Sequence, residues 1–238
     1  MRDPESGGVS ASSAPTYEPM GDAGLLVTLG TTVAATMAER AQAIAAAIAA
    51  GRGAAPGVGH PIPAHASILV PFDPLAIALE DVIALARRAV VSADAEPRSA
   101  GVAPGASSAI EIPVRYGGAE GPDLHVVAEL HGLRPADVVE LHASASYRVL
   151  FLGFAPGFGY LGGLPPTLVT PRRASPRERV PAGSVGIAGE QTAIYPLAMP
   201  GGWQLIGRTE AVLFEADRSE PALLRPGASV RFVPVSGR

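Results

Sequence analysis

Aromatic, arginine and amide side chains concentrate between residues 151 and 209, among glycines and prolines. Arg172, Arg173, Arg177 and Arg179, joined by Arg208, offer planar guanidiniums that suit a carboxylate, a phosphate or an acidic partner surface. The same arginines could equally belong to a solvated loop paired with Glu178 and Glu190. Phe154, Pro156, Phe158, Tyr160, Tyr195 and Trp203 sit in Gly/Pro loops, where aromatics commonly anchor a pocket or an interface. Trp203 could instead plug a barrel. The polar candidates are His142, Ser184, Gln191, Thr192 and Arg208. Gln191 and Thr192 could orient a carbonyl or an amide by hydrogen bonds. His142 closes a short helix, where a structural hydrogen bond competes with acid–base work. Ser184 lies in Ala182-Gly183-Ser184-Val185-Gly186, which departs from the nucleophile-elbow pattern at its first position and precedes a strand. It is not expected to be a nucleophile. His142, Gln191 and Arg208 are therefore the candidates for catalysis.

Composition closes several routes. Cysteine is absent and all 18 basic residues are arginine. Disulfides, thiolate nucleophiles, cysteine-bearing zinc sites, Walker lysines, Schiff-base lysines and Ser-Lys amidase dyads go with them. No metal-ligand spacing is present, and no cofactor is expected to be bound. The net charge of −4 argues against nucleic acid, which needs a basic face. No apolar run has the length to cross a bilayer, and the N-terminus lacks the apolar core of a signal peptide. The expectation is a cytoplasmic protein.

The elements that must position these residues form an α+β arrangement. Residues 1–16 read as a disordered tail and residues 17–92 as a small α/β domain. Within it, Gly24 to Leu29 and Ser67 to Val70 read as strands. A helix is expected from a cap at Thr31 or Thr32, with Val33, Met37, Ala41, Ile44 and Ile48 as its buried stripe and Gly51 as its end. A second helix is expected from Asp73-Pro74, with Leu75, Leu79, Val82 and Ala86 facing inward. His60 and His65, in a proline-flanked loop, read as structural or solvent-exposed. Residues 93–108 read as a linker. Residues 109–238 read as a barrel domain, with strands over 111–116, 147–152, 184–187, 192–195, 204–206, 212–215 and 229–233. Short helices are expected over 122–131 and 135–142. The residues alone describe an elaborate pocket without self-sufficient catalytic machinery.

The run from Glu111 to Thr209 resembles the allophanate hydrolase subunit 1 family, whose members include KipI and PxpB, the B-type subunit of the bacterial 5-oxoprolinase complex. The matching segments are Ile112-Pro113-Val114-x-Tyr116-Gly117-Gly118, Gly121-Pro122-Asp123-Leu124, His142, Gly153-Phe154-x-Pro156-Gly157-Phe158-x-Tyr160-Leu161, Pro171-Arg172 and Val180 to Gly189. Gln191-Thr192, Ile194-Tyr195-Pro196 and Pro200-Gly201-Gly202-Trp203-x-x-Ile206-Gly207-Arg208-Thr209 complete the set. The N-terminal half matches more loosely. The resemblance implies a cyclophilin-like β-barrel after a small α/β domain. It also implies a partner, a subunit 2 (KipA/PxpC-like) barrel protein, and a third LamB/YcsF-like (PxpA) chain. Together these open 5-oxoproline to glutamate, with ATP as co-substrate of the complex. On this reading Phe154, Pro156, Phe158, Tyr160, Gln191, Thr192, Tyr195 and Trp203 form a pocket in which Arg172 and Arg208 meet a carboxylate or phosphate. The alternative is a KipI-like inhibitor of a sensor histidine kinase; an allophanate hydrolase subunit is a third reading. Three positions depart from the family pattern: Arg134 replaces a capping serine, Ala193 a glycine, and Met199 a serine or threonine.

Overall fold

A computed structural model describes residues 14–31, 35–95 and 109–236. Of the expected tail (1–16) and linker (93–108), residues 1–13 and 96–108 lie outside the described residues, as do the helix cap at Thr32 and Val33; Thr16 instead opens a strand, and residues 93–95 end a helix. The chain divides into two compact units, Met1–Pro97 and Arg98–Arg238.

The first unit is a four-stranded antiparallel sheet in the order β1-β2-β4-β3, made of β1 (Thr16–Pro19), β2 (Gly24–Thr28), β3 (Ile62–Pro63) and β4 (Ser67–Pro71). Helices α1 (Ala35–Gly51) and α2 (Leu79–Ala95) pack on each other and on the sheet. Strand alternation turns Leu25, Val27, Ile68 and Val70 toward Ala41, Ile44, Ile48, Val82 and Ala86, and this is the core. Asp73-Pro74 does not start α2. The Asp73 side chain accepts from the Leu75 backbone N–H at 3.0 Å, closing a separate turn. Leu75 is 97% exposed, and the helix begins only at Leu79, with Glu80 and Asp81 in its first turn.

The second unit is a closed barrel. Its strands are β5 (Ile110–Tyr116), β6 (Tyr147–Leu152), β7 (Gly159–Gly162), β9 (Ser184–Ala188), β10 (Gln191–Ile194), β12 (Gln204–Arg208) and β13 (Ser229–Pro234). They run in the order β10-β7-β6-β13-β5-β12-β9, and β9 pairs with β10 to close the ring. Only β13 and β5 are parallel among these neighbours. A separate antiparallel pair joins β8 (Arg177–Val180) to β11 (Met199–Gly201). The expected α+β class with a barrel is observed. The expected strand over 212–215 is not, since Phe214 makes only an isolated bridge to Ala222.

Helices α3 (Leu124–Leu130) and α4 (Pro135–Ser144) pack on each other and contribute Leu124, Val127 and Val138 to the barrel core. At Arg134 the missing capping serine is compensated from the other side. Asp137 accepts from the Arg134 backbone N–H at 3.0 Å and pairs with its guanidinium. That guanidinium holds the half-buried Asp137 carboxyl below its ordinary range.

Candidate functional site

Alternation along the barrel strands sorts side chains onto two faces. Val149, Leu161, Val185, Ile187, Ile194 and Ile206 turn into the main core. Their neighbours turn outward, where Phe158, Val180, Ala188, Ala193, Tyr195, Trp203 and Leu205 form a second buried cluster. One ladder row crosses this outer face. Phe151 stands opposite Tyr160, Tyr160 opposite Ala193, Ala193 opposite Gly186, and Gly186 opposite Leu205. Large residues at both ends and small ones between them leave a depression, and Trp203 lies over it. A Cβ on Gly186 would stand 3.1 Å from the Trp203 Cβ. Trp203 therefore packs on the outside of the barrel and does not plug it.

Around this depression the aromatics meet at preferred geometries. Phe158 is edge-on to Tyr195 and Trp203, at 86° and 89°, while Phe151 stacks on Tyr160 with centroids 4.4 Å apart. Phe154 is edge-on to Phe158 yet 62% exposed, and its φ of 71° is the one positive value at a non-glycine among the described residues. A phenylalanine in the left-handed region is strained, and such strain clusters at functional loops. Pro156, exposed beside it, completes that loop. The structure thus brings together five of the expected pocket aromatics, Phe154, Phe158, Tyr160, Tyr195 and Trp203.

The arginines divide. Arg173 and Arg177 do not pair with Glu178 or Glu190. Both donate to Asp123 Oδ1, at 3.2 and 2.8 Å, and Asp123 Oδ2 accepts from the Leu205 backbone N–H at 2.7 Å. Asp123 is 3% exposed. It precedes α3, and its own backbone N–H donates to the Leu205 carbonyl. The closeness of this approach requires Gly121, where a Cβ would collide with the Ile206 carbonyl. Sequence reasoning misses Asp123 as a functional residue. Its sequence signal, an acid just before an apolar helix, indicates only a cap. Arg172 and Arg179 are exposed and make no ion pair among the described residues. Arg172 lies near the Tyr160 and Tyr195 phenols, partly offsetting the rise in pKa that burial causes at both. Arg208 is held elsewhere, with Nε donating to the Ala182 carbonyl and Nη1 3.6 Å from Glu120.

His142 and Thr192 belong to the other face. Thr192 donates to the Gly186 carbonyl at 2.9 Å, so its oxygen accepts from His142 Nε2–H at 3.0 Å. Nδ1 is then the acceptor for the Tyr116 hydroxyl at 2.8 Å. The ring is fully buried, and desolvation pulls its pKa down to about 3. Both side chains are satisfied inside the core, so neither meets a ligand on the outer face. Gln191, on the same strand, is half-buried and has an interaction partner. Ser184 is 2% exposed within β9. Among the described residues no cluster of three or more histidines and acids could hold a metal ion. No helix there is long and apolar enough to cross a membrane.

The closed barrel of this chain carries a buried aromatic cluster with arginines beside it on its outer face. Residues 15–224 match the model of the carboxyltransferase domain, subdomain C and D, and the chain belongs to that family. It is 56% identical over 180 residues to the B-type subunit of 5-oxoprolinase from Escherichia coli O157:H7, covering 75% of this chain and 79% of that protein. The crystal structure of TTHA0988 superposes with a TM-score of 0.73 at 36% identity, over 91% of this chain; the match spans 40% of the TTHA0988 chain. The urea carboxylase of Kluyveromyces lactis shares the fold, with a TM-score of 0.73 at 23% identity, over 93% of this chain and 22% of its own. These matches bear out the resemblance carried by the motifs between Glu111 and Thr209.

Proposed function

We propose that this chain is the B-type subunit of a 5-oxoprolinase, contributing one wall of the site at which 5-oxoproline is opened to glutamate. The observation that carries this reading is the 56% identity to the corresponding E. coli 5-oxoprolinase subunit, across 79% of that protein. Opening the ring breaks the amide C–N bond, and water supplies the oxygen of the new carboxylate. The chain has neither cysteine nor lysine to act as a nucleophile. Its part is to bind and orient, through the aromatic face and Arg172, while the partner chains supply the reacting groups. Those partners are a subunit 2 (KipA/PxpC-like) protein and a LamB/YcsF-like (PxpA) protein, and ATP consumption belongs to the complex they form. His142, buried and satisfied in the core, positions β10 and is not the acid or base.

Reconstitution tests the reading. Purified partner subunits with ATP and 5-oxoproline should release glutamate only when this chain is added. Turnover at full rate without it would overturn the assignment.

A further inference from the structure

The outer face carries an imbalance of charge. Arg173 and Arg177 share one oxygen of one carboxylate, Asp123, whose other oxygen is taken by the Leu205 N–H. Two guanidiniums against one carboxylate leave a surplus positive charge in a partly buried place. Arg177 Nη1 and Arg173 Nε are buried and have no hydrogen-bond partner among the described residues. A buried donor without an acceptor is costly, more so on a charged group.

Register locates the surplus. Arg177 stands opposite Gly201 across the β8–β11 pair. Directly opposed residues of an antiparallel pair project to the same side. Gly201 has no side chain, and a Cβ there would collide with the Tyr195 hydroxyl. The phenol tip therefore fills the place beside the Arg177 side chain. Burial raises the pKa of that phenol, so it keeps its proton and can donate it. Arg172 reaches toward the same phenol from the exposed rim, and the other ionisable groups acting on it are Tyr160 and Arg177, with no carboxylate. Beside this phenol, Arg177 Nη1 lacks an acceptor among the described residues.

We propose that Arg177 and the Tyr195 hydroxyl, with Arg172 at the rim and Trp203 as the wall, form a receptor for the carboxylate of a small acid. The two inward donors match two carboxylate oxygens, and the buried surplus is one charge, which suits a carboxylate better than a phosphate. The inference rests on reading this face as the ligand-facing wall, and it names the part of a 5-oxoproline-like acid that this chain would hold.

Trp203 is the only tryptophan, so its emission reports on the site directly. The full chain, without partners, is titrated with 5-oxoproline, with pyrrolidin-2-one (the same lactam without its carboxylate) and with inorganic phosphate. The expected result is a saturable change with 5-oxoproline and none with pyrrolidin-2-one. Arg177→Gln should weaken the response about tenfold or more, the worth of a charge-assisted hydrogen bond. Because that variant also loosens Asp123, Arg172→Gln serves as the second probe, being exposed and without an ion pair among the described residues; it should weaken binding by a factor of about three to ten. An equal response to pyrrolidin-2-one, a stronger one to phosphate, or none to 5-oxoproline overturns the receptor. A chain that gives no carboxylate response yet supports turnover in the reconstituted mixture overturns the receptor alone. One that binds 5-oxoproline but is dispensable for turnover overturns the proposed role in the complex alone.

Discussion

Asp123 and His142 are both buried polar residues, and they differ in what they hold. Asp123 gathers a loop, a helix start and a strand: its carboxylate takes Arg173, Arg177 and the Leu205 N–H, while its backbone N–H takes the Leu205 carbonyl. It orients the arginines of the outer face without touching a ligand. His142 spans the inside of the barrel from Tyr116 on β5 to Thr192 on β10, and its ring packs on Tyr147 and Phe232. Burial holds its pKa near 3, against an ordinary value of 6.5. Above about pH 6.5 the imidazole is neutral in both folded and unfolded chains, and its contribution to stability is complete. As pH falls below that value the unfolded chain takes up a proton that the folded one refuses. Stability should therefore drop by up to about 1.4 kcal/mol per pH unit until the folded pKa is reached. Urea unfolding of the wild type and of His142→Gln between about pH 7 and pH 4 isolates this contribution, because the carboxylates act equally in both chains. The wild-type slope should exceed the variant's, and parallel curves would rule out the neutral buried ring.

At the scale of elements, the depression under Trp203 depends on small residues at two adjacent strand positions, Gly186 and Ala193. Gly186→Ala would set a methyl 3.1 Å from the Trp203 Cβ and 3.4 Å from the Gln204 carbonyl. Trp203 must then give by a few tenths of an ångström, away from the strand. Stability should fall by about 1–3 kcal/mol, as overpacking commonly costs, and Trp203 emission should shift to the red as the ring gains water. Unchanged emission would show that Trp203 does not rest on that row. Some of these elements are legible in the sequence and others are not. Tyr147–Leu152 is a continuous run of mostly apolar residues and reads as a strand with its observed bounds, because a strand with buried positions on both faces leaves that signature. The β8–β11 pair is not legible, since Arg177–Val180 and Met199–Gly201 are largely half-buried or exposed and carry arginine, proline and glycine. The aromatics of the outer face announce themselves by type and by their Gly/Pro setting. Asp123 does not, because its partners lie 50, 54 and 82 residues away and only the closed barrel brings them near. Thr192, expected in the pocket, lies on the opposite face, since strand periodicity assigns alternate residues to opposite sides without saying which side is the core.

For the whole molecule, the absence of cysteine and lysine is as consequential as any residue present. A chain so composed can bind, orient and polarise, but it offers neither a thiolate nor a side-chain amine to form a covalent intermediate. Its lysine and arginine cations are all guanidiniums, suited to planar oxyanions and indifferent to pH across the physiological range. Treating the isolated chain with maleimide, removing the reagent and then adding partners should leave 5-oxoproline turnover undiminished. Phenylglyoxal, which modifies arginine, should instead abolish most of the chain's contribution. Arg172 and Arg179 should react ahead of Arg173 and Arg177, because both are exposed and make no ion pair among the described residues, whereas Arg173 and Arg177 are held by Asp123. Including 5-oxoproline during the phenylglyoxal step should protect both Arg172 and activity, and peptide mapping by mass spectrometry locates the adduct. Loss of activity without modification of Arg172, or modification of Arg172 without loss, would separate the arginine rim from the chain's role in the complex.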